Sequence, residues 1–543
     1  METIGENLET MPRVPLADEH VARLHEIGTQ RTFSAGEMVA EAGSTMDRFV
    51  YVLDGEIEVV DPYTNGRMVE STLGPTQFMG ELAFLSGGSW TLSMRAVKET
   101  RTLEVPRPAM LDLMARVPEL SDHVLRVFSA RRRRQYEQRN STIKLIGADR
   151  DQQVQKVEQF LSRNRIPFQS LDMDGRDDET WQACNLTDHQ PSVILGKDQV
   201  MPDPTPRKIA RYLGLDLDAC RETLYDVLIV GAGPAGVAAS VYAGSEGLCA
   251  LTVEDTAIGG QAGTSSRIEN YMGFPTGISG ADLVYRGQIQ AMKFGTRFAM
   301  PRSVEGLRRR EDGAFCIALD GGDEICAKAV LVATGVQYRR LLLDRLEEFE
   351  GAGVFYAATD MEARFCHGTE AVVIGGGNSA GQAAMFLSRS ASHVHLVVRG
   401  DSLATSMSSY LTERLEADPQ ITIHYNTTVT ALHGGVHLEA VDMTTPDGTT
   451  PLDTRALFIM IGAAPNTGWL EGMAEMDEKG FVLTGAQVGR ATPFETSADG
   501  VFAVGDVREG SVKRVASAVG EGSVVVSRIW QYVDALPVPG SQV

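Results

Sequence analysis

At 543 residues, with 43% hydrophobic residues and 55 glycines, the chain has the composition of an ordinary soluble α/β protein but exceeds what one core organises, so several domains are expected. Its formal net charge of −22 excludes a general nucleic-acid binder, because phosphate-facing surfaces are basic. No run approaches the ~20 apolar residues that cross a bilayer, and the stretch from Met1 to Glu6 lacks a signal peptide's basic start and apolar core, so a cytoplasmic protein without a membrane partner is expected.

Residues 1–138 read as short strands and turns followed by helix. Phe49–Leu53 and Glu56–Val60 flank Asp54-Gly55, which predicts a hairpin. From about Arg107, Met110, Leu111, Leu113 and Met114, then Leu120, Val124, Leu125 and Phe128, carry a helical spacing. Arg131-Arg132-Arg133-Arg134, the only dense basic run, continues this pattern and reads as a solvated linker helix. Gly80-Glu81-Leu82-Ala83 resembles the ligand turn of the cyclic-nucleotide-binding β-roll. The resemblance implies a turn and short helix that cradle ribose and phosphate, with an arginine about ten residues later on the cyclic phosphate. Trp90 or Thr91 stands at that arginine here, and neither indole nor hydroxyl replaces a bidentate guanidinium. Tight cyclic-nucleotide binding is therefore not expected unless another cation, such as Arg95, substitutes.

Residues 139–220 offer the strand Thr142–Gly147, the amphipathic helix Gln152–Asn164 with Val154, Val157, Phe160 and Leu161 inward, and the strand Phe168–Asp172. Gln190-Pro191 then precedes a strand to Leu195, and a helix follows from Pro206 to Leu213. This order resembles the thioredoxin/glutaredoxin fold, in which a cis proline faces the redox site and to which Pro191 corresponds. The family's redox pair follows the first strand, yet Gly147-Ala148-Asp149-Arg150-Asp151 holds no cysteine. Without a thiolate there is no disulfide exchange, so a scaffold or docking role is expected.

Two glycine fingerprints dominate the remainder. Gly231-Ala232-Gly233-Pro234-Ala235-Gly236 follows the strand-like Tyr225–Val230, and Gly375-Gly376-Gly377-Asn378-Ser379-Ala380 follows Ala371–Ile374. One glycine permits the tight turn, one lets the backbone approach a diphosphate, and the last position must be small so that helix packs on strand. The helix N-terminus then faces the anion with free N–H groups. Two in tandem suggest a chain that holds two nucleotides and passes a hydride from nicotinamide to flavin. Glu254 ends the strand about 20 residues past the first glycines, where a ribose hydroxyl is bound. Then come Gly259-Gly260-Gln261, Ile268-Glu269-Asn270-Tyr271, the strand Val330–Val332 with Ala333-Thr334-Gly335, the segment Val501–Asp506 with Gly505-Asp506, and Arg514-Val515-Ala516.

From about Leu224 onward this order resembles the low-molecular-weight thioredoxin reductases. The resemblance implies flavin-contacting loops at Gly260, Gln261 and Asn270, a turn at Ala333–Gly335 against the flavin nucleotide, Asp506 toward the ribityl chain, and Arg514–Ala516 starting a helix beneath the isoalloxazine. It also implies two three-layer α/β dinucleotide domains: an FAD domain over 221–340 and 464–543, an NAD(P)H domain over 341–463 inserted in it, and a homodimer. Singly, Glu254 also reads as a solvated strand-end acid and Asp506 as a helix cap. For the second nucleotide, the strand His393–Val398 ends in Arg399 rather than an acid. An arginine there pairs with a 2′-phosphate, which favours NADPH over NADH; a plain surface arginine is the other reading.

Where the resembled enzymes carry the dithiol C-A-T-C, this chain reads Ala357-Ala358-Thr359-Asp360, with Gly353-Val354 setting the register. The six cysteines, Cys184, Cys220, Cys249, Cys316, Cys326 and Cys366, are scattered without any C-x-x-C, which excludes a close-spaced zinc knuckle or redox dithiol and fits a reducing compartment; no metal site is expected. Cys366 reads as a buried structural residue. The expected function is an FAD-dependent NAD(P)H oxidoreductase that moves hydride from NADPH to FAD and then to an unidentified acceptor, a protein among the candidates. A redox or nucleotide sensor, and a thioredoxin-disulfide reductase using partner or relocated thiols, are the alternatives. No catalytic side chain is singled out, because hydride transfer needs positioning rather than a nucleophile.

Overall fold

The computed structural model describes residues 13–536 apart from 62–64, 82, 138–140, 142, 148–150, 173–190, 196–198, 217–222, 266–267, 269, 351, 357, 359 and 405. After the helix Asp18–Ile27, a four-stranded sheet (Thr29–Phe33, Thr100–Pro106, Arg48–Asp54, Phe78–Met79 in spatial order) and a three-stranded sheet (Met38–Ala40, Ser93–Ala96, Ile57–Val60) share one core as a β-roll. The hairpin expected around Asp54-Gly55 does not form. Arg48–Asp54 pairs with Thr100–Pro106, whereas Ile57–Val60 pairs with Ser93–Ala96 in the other sheet. Gly55, at φ +102°, makes the crossing so close to Thr100 that a Cβ would lie 2.5 Å from the Thr100 Cα. The turn chemistry is right, but a contact far along the chain sends the second strand elsewhere.

The helices Arg107–Arg116 and Pro118–Glu137 follow, parted at Val117 because proline disfavours helical geometry in the residue before it. The arginine run is not simply solvated. Arg131 donates to the Gly80 carbonyl at 3.2 Å and lies over the Phe78 ring, and burial lowers its pKa to about 10. Arg132 pairs with the buried Glu81 at 3.2 Å. A basic run on a helix that packs against a roll must place some members on the packed face.

The middle unit has a four-stranded sheet in the order Gln199–Pro202, Ser192–Leu195, Ile143–Gly147, Gln169–Asp172, with only the last pair parallel. Its helix Gln152–Arg163 is capped by Asp151, which accepts from the backbone of Gln153 at 2.7 Å and Val154 at 3.2 Å. Thr142, Ala148, Asp149, Arg150 and Gln190 lie outside the described residues, so the peptide bond into Pro191 does too.

A seven-stranded sheet begins with Leu224–Val230, whose helix Pro234–Ser245 returns the chain to the parallel strand Ala250–Val253. Its order is Arg297–Ala299, Ala250–Val253, Leu224–Val230, Asp323–Val332, Phe315–Leu319, Val304–Arg309, and Val501–Ala503 joins Asp323–Val332 in parallel. The C-terminal helix Val515–Asp534 lies along Pro234–Ser245. Between these halves the chain builds a parallel five-stranded sheet, Val354–Phe355, Ala456–Ile459, Glu370–Ile374, His393–Val397, Ile421–His424, with an antiparallel meander over Thr428–Asp453. A two-stranded ribbon, Val336–Tyr338 with Ala463–Pro465, joins the two sheet systems. No helix among the described residues is long and apolar enough to cross a membrane.

Two of the cysteines are paired. Cys316 and Cys326 oppose each other across an antiparallel hairpin and form a disulfide. Spacing alone hid the pair, since strand register brings the two together across a separation of 10 residues.

Candidate functional site

The first fingerprint is built by close approach. Gly231 has φ +100°, and a Cβ there would lie 2.5 Å from the Ala333 carbonyl oxygen. At Gly236 a Cβ would overlap the Gly231 carbonyl, so helix packs on strand only with glycine in that place. Gly233 differs, because nothing lies within 4 Å of its Cβ position and its free side opens into a cavity. It is the N-cap of the helix from Pro234, with no side-chain cap bond, which leaves first-turn N–H groups for an anion. Glu254 is 8% exposed and not a solvated acid. Its carboxylate accepts from the backbone N–H of Ala232 at 2.7 Å, Thr256 at 3.3 Å and Ala257 at 3.4 Å. Burial pushes its pKa up, Asp255 adds to the rise, and the N–H groups oppose it, with the balance at about 8.

The other predicted residues close around this cradle. A Cβ on Gly260 would sit 3.1 Å from the Gly233 Cα, and Gln261 Nε2 donates to the Val336 carbonyl at 2.5 Å, on the connecting ribbon. Thr334 Oγ1 donates to the Asn466 carbonyl at 2.8 Å, tying the Ala333–Gly335 turn to the returning chain. Gly505 N donates to Glu521 at 2.6 Å, and Arg508 grips the same carboxylate at 2.7 and 3.2 Å. Burial raises the Asp506 carboxyl pKa, Lys513 opposing and Glu521 reinforcing the shift. Asp506 does not cap the C-terminal helix, whose N-cap is Arg514. Gly231, Gly233, Pro234, Ala235, Glu254, Gly260, Gln261, Asn270, Ala333, Thr334, Gly335, Gly505, Asp506, Arg514, Val515 and Ala516 all line one cavity of about 2140 Å³, with Gly236 behind it.

The second fingerprint is formed but faces elsewhere. A Cβ on Gly375 would lie 3.0 Å from the Met460 carbonyl carbon and 2.9 Å from the Ala380 Cβ, and Gly377 is an N-cap without a side-chain cap bond. Asn378 Oδ1 accepts from Ser408 N at 2.8 Å and so holds the loop after the neighbouring strand. Of this set only Ser379 reaches the large cavity; Gly375, Gly377, Asn378, Ala380 and Arg399 do not line it. Arg399 is exposed just beyond the strand His393–Val397.

Sequence reasoning missed two groups. Glu521 and Arg508 position the Gly505-Asp506 turn, a signal hidden because Glu521 lies 16 residues past Gly505, on the C-terminal helix. The polar face of Gln152–Arg163, in the middle unit, also lines the cavity. Its amphipathic pattern announces a polar face but not what that face meets.

A buried acid at a strand end, an uncapped helix N-terminus and a large cavity under one glycine cradle suit a dinucleotide flavin, and the uncapped N-terminus at Gly377 suits a second nucleotide. Residues 225–522 match the family described as pyridine nucleotide-disulphide oxidoreductase, and residues 30–117 match the cyclic nucleotide-binding domain. A thioredoxin reductase of Treponema pallidum is 36% identical over 58% of this chain and 99% of its own length. The NADPH-dependent thioredoxin reductase 3 of Arabidopsis thaliana is 35% identical over 58% of this chain and 59% of that protein. The solved thioredoxin reductase of Lactococcus lactis superposes with a TM-score of 0.53 at 28% identity, covering 57% of this chain and all of that one.

The chain is therefore an FAD-dependent NAD(P)H oxidoreductase carrying an N-terminal cyclic nucleotide-binding domain. It belongs to the pyridine nucleotide-disulphide oxidoreductase family. When bound, FAD would supply a two-electron centre able to take hydride from NADPH. Glu254 and Glu521 hold the backbone turns at Ala232 and Gly505, and the helix N-termini at Gly233 and Gly377 carry no side-chain cap, which leaves their N–H groups open to anions.

Proposed function

We propose that the large cavity holds FAD, with Gly233 and the Pro234 helix at the diphosphate, Glu254 at the adenosine ribose and Asp506 near the ribityl chain. The second fingerprint with Arg399 takes NADPH, and electrons leave the flavin without passing through a thiol of this chain. The carrying observation is that none of the four cysteines among the described residues lines the cavity. Cys249 sits just ahead of Ala250–Val253, and Cys316 and Cys326 are bonded to each other in an outer hairpin. Cys366 is fully buried, its pKa pushed up to about 11 by that burial, so it carries no thiolate at neutral pH. Ala357 and Thr359 lie outside the described residues; Asp360 opens the short helix Asp360–Ala363, and neither Ala357 nor Asp360 offers sulfur.

The acceptor is then a quinone, a ferredoxin or flavodoxin, dioxygen, or a partner bringing its own thiols. Anaerobic stopped-flow reduction with NADPH, followed by a panel of these acceptors, tests the reading. A cysteine-free variant should reduce its flavin at the wild-type rate, and robust thioredoxin reduction lost in Cys366→Ser would overturn it. The middle unit's strand order and directions support a thioredoxin-like fold without redox cysteines. For the N-terminal roll, loss of cyclic-nucleotide binding is supported by Trp90, 3% exposed in the roll's core, and by Arg95, held on Glu58 at 2.6 Å. The Ser89 N–H is taken by the Leu213 carbonyl of the middle unit at 3.3 Å.

A further inference from the structure

The helix Gln152–Arg163 turns Val154, Val157, Phe160 and Leu161 into its own core, while Lys156, Gln159, Ser162 and Arg163 line the same cavity as Gly233 and Glu254. An amphipathic helix at a unit's edge ordinarily gives that polar face to solvent. Here it lies against the flavin module at two points. Arg163 Nη2 donates to the Gly260 carbonyl at 3.3 Å, and a Cβ on Gly260 would lie 3.1 Å from the Gly233 Cα. Asn164 Nδ2 donates to the Thr256 carbonyl at 3.4 Å, two residues beyond Glu254.

The placement is held by a built interface. Arg165 pairs with Asp282 at 2.7 Å and lies over the Tyr285 ring. Arg302, 2% exposed, joins Asp216 of the middle unit at 3.2 Å to Asp323 at 2.6 Å, and Arg207 reaches Asp323 from the other side at 3.2 Å. A cationic side chain thus sits on the Gly260 carbonyl in the cavity that Gly233 and Glu254 also line, brought from a part of the chain outside residues 225–522, the span that matches the family.

We infer that the middle unit is a wall of the flavin site: Arg163 contacts the adenylate half of FAD, so that full cofactor affinity depends on this unit being docked. The inference rests on the reading of the cavity as the FAD site. It gives a unit without redox cysteines a task that needs none.

The test uses the full-length apoprotein, titrated with FAD and with FMN and followed by flavin fluorescence, for wild type, Arg163→Ala and Arg163→Gln. Loss of a charge-assisted contact should weaken FAD binding at least about tenfold in Arg163→Ala. FMN lacks the adenylate half, so its affinity should change less than about twofold. Arg163→Gln, which keeps a donor and the packed stem, should fall between and serves if the alanine variant does not fold. Unchanged FAD affinity, or equal weakening for FAD and FMN, overturns the inference. Gly233→Val separates the two readings. If it loses FAD while Arg163→Ala binds normally, only the wall fails; if it keeps full flavin content, the cavity assignment itself fails.

Discussion

The contact between the C-terminal helix and the fingerprint helix turns on Gly522. A Cβ there would overlap the Ala235 carbonyl oxygen and stand 3.0 Å from its carbon and 3.2 Å from the Ala235 Cα. Those are backbone atoms in the first turn after Gly233, so Gly522→Ala cannot be absorbed by a rotamer change and must part the two helices. Overpacking of this kind costs up to about 3 kcal/mol, against about 1 kcal/mol gained from alanine's helix propensity, for a net loss of about 2 kcal/mol. Val525, Val526 and Ile529 share the core with Ala235 and Ala239 and loosen with it. The thermal transition of the flavin module should fall by about 4–8 °C, and FAD should bind more weakly because the diphosphate cradle moves. Gly520 supplies the control: it lies on the same helix with nothing within 4 Å of its Cβ position, so Gly520→Ala should stabilise by up to about 1 kcal/mol. Differential scanning fluorimetry and FAD titration of both variants decide the matter. A Gly522→Ala protein as stable as Gly520→Ala, with wild-type FAD affinity, would refute the close-contact argument.

Glu254 makes flavin binding depend on pH. Its pKa of about 8 in the folded apoprotein lies above the unfolded value of about 4.3, so the folded state holds the extra proton and the apoprotein loses stability as pH rises through that window. A ribose hydroxyl that donates to the carboxylate favours the ionised form, so FAD affinity should rise between about pH 6 and pH 8, by at most about tenfold per unit, and Glu254→Gln should flatten the curve. A wild-type profile as flat as the variant's would remove Glu254 from the ribose. NADPH should outcompete NADH, and Arg399→Glu should shift that preference at least about tenfold by putting repulsion where a phosphate would be attracted. Equal constants for both nucleotides in the wild type would count Arg399 as a surface residue. Calorimetry with cyclic AMP and cyclic GMP should show weak binding or none; submicromolar binding would mean that the alignment of Trp90 and Thr91 is wrong or that another cation, such as Arg95 leaving Glu58, serves the phosphate.

What the sequence by itself determined is what short stretches of backbone demand. The two fingerprints, the strands before them and the helices after them lie where the glycines require, because a φ of +100° at Gly231 and a helix-on-strand contact at Gly236 leave no other residue type. The missing dithiol at Ala357 and Asp360 is equally legible in the chain alone. Tertiary structure decided the rest. Asp54-Gly55 has the chemistry of a hairpin turn, yet Thr100 beside it directs the chain into a second sheet. Cys316 meets Cys326 only through strand register, and Arg131 turns inward only because Gly80 and Phe78 of the roll lie beneath its helix. The polar face of Gln152–Arg163 is one more surface in the sequence and a cavity wall in the fold. Local dihedral preferences and side-chain periodicity are properties of neighbours in the chain, whereas the partner of a polar face, a cysteine or a strand edge is chosen by packing between segments far apart in sequence.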